Sequence, residues 1–298
     1  MKPLIAVDWG TSSLRGALLG GDGRVLDEMA SADGILSVPA GGFPAVFAAN
    51  FARWRDGRDT LCLISGMAGS RQGWQEAPYC PCPAGFSDIA SRLLWIEPGR
   101  IALVPGLSRE QSGVPDVMRG EETQVFGALD MLGLADAQLV LPGTHSKWVR
   151  VSAGRIDRFS THMTGELYAL LRQHSILART LPADDGELDV DAFRQGLTHA
   201  RESASLLHAA FSVRTLALFG RLPAAAMPSY LSGLVIGEEL RSQRLTQAGG
   251  PILVIGSPAL TERYQLALQS QGLTSQAVGS AATWRGLWTI ARQLGEFA

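Results

Sequence analysis

The chain has 298 residues, a length that at ~150 residues per domain suits two domains with substantial cores. A hydrophobic fraction of 46% against 18% charged residues excludes a disordered chain, and a formal net charge of -2 with dispersed basic residues argues against a nucleic-acid or anionic-membrane surface. No apolar run approaches the ~20 residues that cross a bilayer, and Asp8 stops the N-terminal stretch Leu4 to Val7, so a cytoplasmic protein is expected.

The first segment, "IAVDWGTSSLRGALLGGDGRVLDEMAS", reads as an apolar strand, a Gly-Thr-Ser-Ser loop (Gly10, Thr11, Ser12, Ser13), a second strand, a turn at Gly23 and a third strand. The same plan recurs in "LVLPGTHSKWVRVSAGRIDRFSTHMT", with the loop Gly143, Thr144, His145, Ser146 and a turn at Gly154. A tight turn at glycine brings backbone N–H groups close to a ligand, and Thr and Ser hydroxyls add short-range donors, so each loop suits the phosphates of a nucleotide. Two such loops are expected to face each other as a phosphate clamp, one per domain. Asp8 stands just before the first loop, where a carboxylate would repel phosphate unless a divalent cation lay between them, so it is the expected magnesium anchor. Arg15 and Lys147, just past the loops, are candidate phosphate contacts or outward strand residues, and His145 is at most a phosphate-loop donor.

Between the repeats, "FPAVFAANFARWRDG" predicts a helix, and "TLCLISG" a strand ending in the loop Gly66, Met67, Ala68, Gly69, Ser70. "APYCPCPAGF" predicts an irregular, proline-rich connection. Its Cys80 and Cys82 lack the second ligand pair of a zinc site, and with Cys62 they form no disulfide framework. A helical or mixed segment and a strand at "RIALVPG" precede "MRGEETQVFGALDML", a helix whose Val125, Phe126, Leu129 and Leu132 share one face and whose first turn holds Glu121 and Glu122. Acidic first turns also simply complement the helix dipole.

After the second repeat, helices are predicted at "GELYALLRQHSIL", "DVDAFRQGLTHARES", "ESASLLHAAFSVRTLALFG" and "PSYLSGLVIGEELRSQRL", with Gly233 and Gly237 permitting close packing. "GPILVIGSPALTERYQLALQ" predicts a buried strand turning at Gly256 into a helix capped by Ser257, a turn suited to a nucleoside. A strand near "SQAVG" and an amphipathic helix through "TWRGLWTIARQL" close the chain.

This order of features resembles the actin-like ATPase superfamily of sugar kinases, and the strings "GMAGSRQGW", "APY", "VMRGEETQ", "LPGTHSKWV" and "MTGEL" are similar to those of the 2-dehydro-3-deoxygalactonokinase family. The resemblance implies an α/β protein of two ribonuclease H-like domains, 1–135 and 136–298, with the active site in the cleft between them. It implies phosphorylation of the 6-hydroxyl of 2-dehydro-3-deoxy-D-galactonate, with ATP and magnesium as cofactors. It places Asp8 at the metal, Gly10 to Ser13 and Gly143 to Ser146 at the phosphates, and Gly256 and Ser257 at the adenosine, where the superfamily often carries a Gly-Gly pair. The superfamily's catalytic aspartate after a glycine corresponds here to Gly120 followed by Glu121 and Glu122; register favours Glu121 as the base, with Glu122 orienting the sugar or holding water on magnesium. From the residues themselves, Gly66, Met67, Gly69, Ser70, Arg71 and Arg119 are the candidate substrate contacts, the two arginines being suited to a carboxylate or else solvated surface residues. The expected partners are a sugar acid and ATP, with no nucleic acid or membrane, and a homodimer is compatible with the sequence. The alternatives are a kinase for another sugar or sugar acid, such as 2-dehydro-3-deoxy-D-gluconate, and a nucleotide-dependent sugar sensor on the same fold.

Overall fold

The computed structural model describes residues 2–55, 60–243, 245 and 250–295. The predicted helix ends at Asp56, Gly57 and Arg244 lie outside them. The chain divides into two compact units: residues 1–137, 149–160 and 278–298 form one, and 138–148 and 161–277 the other.

The first sheet contains β1 (Leu4–Trp9), β2 (Leu14–Leu19), β3 (Val25–Ser31), β4 (Leu61–Gly66), β6 (Leu94–Glu97) and β7 (Ile101–Leu103), in the order β3-β2-β1-β4-β7-β6. β1, β2 and β3 pair antiparallel as a meander, whereas β1, β4 and β7 pair parallel. The central strands β1 and β4 read as continuous apolar runs because both faces are covered. One face carries α1 (Phe43–Arg55), whose Phe43, Phe47, Phe51 and Trp54 are buried in a cluster with Trp9 and Ile64.

The second sheet contains β10 (Ala137–Leu141), β11 (Ser146–Ser152), β12 (Arg155–His162), β13 (Ile252–Ile255) and β14 (Ser275–Val278), in the order β12-β11-β10-β13-β14. Apart from β6, which extends the first sheet, both sheets share the order 3-2-1-4-5. This is the duplicated ribonuclease H-like α/β plan that the family resemblance implies.

A small third sheet was not legible in the sequence. β5 (Cys80–Pro81) pairs with β8 (Leu107–Gln111), which forms a hairpin with β9 (Val114–Met118). The turn is Ser112-Gly113, both with positive φ, the geometry that matches the natural twist of a two-residue hairpin. The hairpin delivers the chain directly into Arg119, Gly120 and the helix α3 (Glu121–Leu132). The mixed segment ahead of β6 contains the short helix α2 (Phe86–Ala90).

The remaining helices are α4 (Thr164–His174), α5 (Val190–Glu202), α6 (Leu206–Ala209), α7 (Ser212–Leu218), α8 (Met227–Gln243), α9 (Pro258–Ser270) and α10 (Ala281–Arg292). The single helix expected over 202–220 is two, because the Ser212 hydroxyl donates to the Ala209 carbonyl and competes with helix continuation between them. Both units contain a helix crossing built on glycine. A Cβ at Gly127 of α3 would stand 1.7 Å from the Ala282 carbonyl oxygen of α10, and one at Gly286 of α10 would stand 1.8 Å from that of Thr123. In the other unit, Gly196 of α5 lies against the Tyr230 carbonyl of α8, and Gly233 of α8 against that of Phe193. No helix among the described residues is long and apolar enough to cross a membrane.

Candidate active site

In the first unit, the ends of β1 and β4 and the start of α3 converge. Asp8 pairs in register with Ser65, and Trp9 with Gly66, so the two parallel strands end side by side. Gly66 has φ +92°, and a Cβ there would lie 2.8 Å from the Trp9 carbonyl oxygen and 3.3 Å from Asp8 Oδ1. Gly120, at φ +104°, seats the α3 N-terminus 3.3 Å from the Gly66 Cα, measured from an ideal Cβ. Only glycine tolerates both the backbone angle and the approach.

The two glutamates of this helix start occupy different environments. Glu121 is partly exposed, and its Oε2 accepts the Arg119 backbone N–H at 3.0 Å. Glu122 is fully buried; its Oε2 accepts the Gly120 N–H at 2.7 Å, and the Ser65 hydroxyl lies 3.5 Å from Oε1. Burial first, and the neighbouring Glu121 charge second, push the Glu122 carboxyl up to about 8. A carboxyl raised above its unfolded value favours folding while protonated, so this contribution is present below about pH 4.5 and lost as pH rises towards 8. Wild-type stability is therefore expected to fall over that interval with a slope approaching ~1.4 kcal/mol per pH unit, a slope that Glu122→Gln should remove. Denaturant melts across pH 4.5 to 8.5 measure both slopes, and parallel curves would refute the assignment.

Asp8 is 17% exposed and its Oδ2 is ion-paired to Arg15, the residue opposite it across the hairpin. Arg15 is thus held by the carboxylate rather than projecting alone, and Oδ1 makes no hydrogen bond within the described protein. In the loop after Asp8, the Gly10 N–H donates to the Ser13 carbonyl at 2.9 Å. Behind it, the Ile35 and Leu36 N–H groups donate to the carbonyls of Gly10 and Thr11, and Gly34 packs on the Ser12 backbone. Thr11, Ser12 and Ser13 are exposed, with hydroxyls uncommitted among the described residues.

The loop 66–77 is tied together by its own backbone hydrogen bonds. Met67 to Gly69 form a single 3-10 turn, the Trp74 and Ala77 N–H groups donate to the carbonyls of Ala68 and Gly69, and the Trp74 ring packs edge-on to Trp9. Gly69 is buried, Met67 and Ser70 partly so. Arg71 points away, its side chain 86% exposed beside Glu76. Arg119 instead is buried, with its guanidinium 4.4 Å from the Tyr79 ring centroid.

In the second unit, Gly143 and Thr144 form the hairpin loop, and the N-terminus of α4 packs on it: an ideal Cβ at Gly165 would be 2.4 Å from the Gly143 carbonyl oxygen. Thr144 and His145 are exposed, and His145 Nε2 lies 2.5 Å from Glu166 Oε2. Ser146 and Lys147 are buried, and the Ser146 hydroxyl bonds the Tyr264 hydroxyl at 2.9 Å. Tyr264 in turn donates to Glu239, a buried carboxylate that also receives Trp148 Nε1 at 2.6 Å and the Thr164 hydroxyl. Glu239 therefore fastens β11, α4 and α9 beneath the hairpin. Its signal in the sequence was an acid inside the largely apolar run of α8.

Beside this network lies a cavity of about 170 Å³, bordered by Gly143 and Gly165 and lined by Tyr168, Ile236, Leu260 and Arg263. Gly256 stands against Pro142, and Ser257 caps α9 through the Leu260 N–H at 3.4 Å, as its sequence position predicts. The cavity residues were missed because they come from three helices distant in sequence.

Among the described residues no cluster of His, Cys, Asp and Glu could hold a metal ion by protein ligands alone. Burial raises both the Cys80 and Cys82 thiols, the latter to about 12, which keeps them protonated and inert.

The sequence model of a family described as 2-keto-3-deoxy-galactonokinase matches residues 8–290. The chain is 39% identical over 299 residues to DgoK1 of Rhizobium meliloti (strain 1021), whose assigned activity is 2-dehydro-3-deoxygalactonokinase, covering 96% of this chain and 97% of that protein. It is 38% identical over 290 residues to the 2-dehydro-3-deoxygalactonokinase of Escherichia coli (strain K12), with the same coverage. The crystal structure of a Sinorhizobium meliloti protein with the same assignment is similar at TM-score 0.87 and 38% identity, over 99% of this chain and 97% of that one. Component A of (R)-2-hydroxyglutaryl-CoA dehydratase from Acidaminococcus fermentans, at 12% identity and TM-score 0.53, shares the fold alone. The chain belongs to the 2-keto-3-deoxy-galactonokinase family.

Proposed function

We propose that the chain transfers the γ-phosphoryl group of ATP to the 6-hydroxyl of 2-dehydro-3-deoxy-D-galactonate, giving 2-dehydro-3-deoxy-6-phospho-D-galactonate in D-galactonate breakdown. Family membership over nearly the whole chain supports the reaction, and the observation that carries the site is the partly exposed Glu121 carboxylate held at the end of β4. In this reading the sugar oxygen bonds to the γ-phosphorus as the bond to ADP breaks, and the hydroxyl proton passes to Glu121. The protein's main work is positioning and charge neutralisation, because such a transition state is loose.

The exposed Thr11, Ser12 and Ser13 hydroxyls and the loop backbones at Gly10 and Gly143 to His145 are the proposed phosphate donors. The cavity beside Gly143, with the Gly256-Ser257 turn, is the proposed seat of the nucleoside, since apolar walls with a few polar groups suit a purine. The donor set fits magnesium: the ion characteristically takes one or two carboxylates and completes its shell with phosphates and water, and Asp8 Oδ1 is available beside the first loop. Bound there, magnesium supplies charge neutralisation at the phosphates. Ser146 and Lys147, both buried, support the hairpin in this reading, and Arg15 orients Asp8. Gly66, Met67 and Gly69 shape the sugar's side of the site.

A coupled assay of ADP formation with magnesium tests the reading on 2-dehydro-3-deoxy-D-galactonate, its gluconate epimer and neutral hexoses. Selective turnover of the galactonate acid is expected. Equal or better turnover of the gluconate epimer would replace the substrate, and no acid-dependent turnover would overturn the kinase assignment.

A further inference from the structure

Arg119 carries an imbalance. The residue is 9% exposed, and its Nη2 donates to the Ala77 carbonyl at 2.8 Å, but Nε and Nη1 are buried without a partner. The Ser70 hydroxyl, in the loop packed over it, is buried and unpartnered as well. Gly69 leaves the space: an ideal Cβ there would be 2.9 Å from Nη1. Tyr79, 37% exposed, covers the guanidinium face. Leaving a charged donor buried and unpaired is costly, and a carboxylate is the partner that best satisfies a guanidinium. The backbone N–H of this same residue holds Glu121.

Resting on the kinase reading, we infer that Arg119 and Ser70 form the subsite that reads the substrate's carboxylate and so restrict the enzyme to sugar acids. Arg119 then serves both ends of the substrate: its side chain holds the carboxylate, while its main chain fixes the base at the reacting hydroxyl. Guanidinium suits the task because two parallel N–H groups match a carboxylate's two oxygens. The orphan donors are closed to solvent here, so the carboxylate enters with a shift of the Tyr79 ring or of the guanidinium; the loop 66–77, tied by its backbone bonds and Trp74, stays in place.

The test compares the sugar acid with its neutral C1 amide on the wild type, Arg119→Met, Arg119→Lys and Ser70→Ala. Wild type is expected to prefer acid over amide by roughly 100-fold or more in kcat/KM, because the amide leaves a buried charge unpaired. In Arg119→Met this ratio should collapse to within a few-fold of one, mostly through the KM for the acid, with the KM for ATP unchanged. Lysine should restore part of the ratio, since a point charge lacks the paired geometry. Ser70→Ala should lower it by several-fold.

Thermal melts give a readout independent of turnover. Without ligand, Arg119→Met should melt at or above the wild-type temperature, because a buried unpaired charge is replaced by an apolar chain. The sugar acid should raise the midpoint of the wild type and not of the variant. A folded Arg119→Met that keeps the acid preference, or loses acid and amide turnover equally, would overturn the subsite. So would a wild type whose melt ignores the acid. An acid-dependent melt that Arg119→Met abolishes, with no phosphorylation by wild type, would overturn the kinase reading and retain the subsite.

Discussion

Glu121→Gln is expected to lower kcat by ~10² to 10⁴, the usual contribution of a positioned general base, while the affinities for ATP and sugar acid stay within a few-fold. Glutamine has the same shape, and its carbonyl oxygen accepts the Arg119 N–H as Glu121 Oε2 does, so the N-terminal turn of α3 is kept. What disappears is the group proposed to take the hydroxyl proton. Glu122 is a poor rival for that role because it is wholly buried and committed to Gly120 and Ser65. Burial also holds its proton, and a carboxyl raised to about 8 is largely protonated at neutral pH, when a base must be ionised. Single-turnover phosphoryl transfer with both variants decides between them. Full chemistry in Glu121→Gln, with chemistry lost in Glu122→Gln, would reverse the assignment.

Gly286→Ala is expected to destabilise the first unit by about 3 kcal/mol or more, near or beyond the upper end of ordinary overpacking. The new Cβ would stand 1.8 Å from the Thr123 carbonyl oxygen, and a backbone atom of a packed helix has no rotamer by which to yield. α3 and α10 must separate, and the N-terminal turn of α3 carries Glu121 two residues from the contact. A loss of kcat should therefore accompany the fall in thermal midpoint. Gly233→Ala should act similarly on α5 and α8, with a Cβ 2.1 Å from the Phe193 carbonyl oxygen, but without touching the helix that carries the proposed base. Gly279→Ala, which meets nothing within 4 Å, is the control and should be near neutral. A wild-type midpoint for Gly286→Ala would contradict the close crossing.

The α/β plan was legible because its signals are local. Alternating apolar strands and Gly turns repeat in the two hairpins, and the Ser257-Pro258 start of α9 follows capping chemistry. The hairpin β8–β9 escaped although its Ser-Gly turn was present, since strands that pair mainly with each other and with a two-residue partner show weak periodicity. Of the candidate site, the sequence offered candidate residues but not their states. Nothing in "RGEET" says that one glutamate is partly exposed and the next sealed against Ser65, because a single helical step of 100° decides it against a distant strand.

By itself the sequence determined the duplicated order of elements, the two glycine-hydroxyl loops and the acidic helix start, all properties of neighbouring residues and their backbone preferences. Only the tertiary structure decided which groups are satisfied. Asp8 is held by Arg15, Ser146 is bound into the Glu239 network, residues 278–298 join the N-terminal unit, and Arg119 is left with two buried donors unpaired. The reason is physical: burial and hydrogen-bond partnership arise between segments far apart in the chain, and they, rather than residue type, set a group's charge, pKa and readiness to bind.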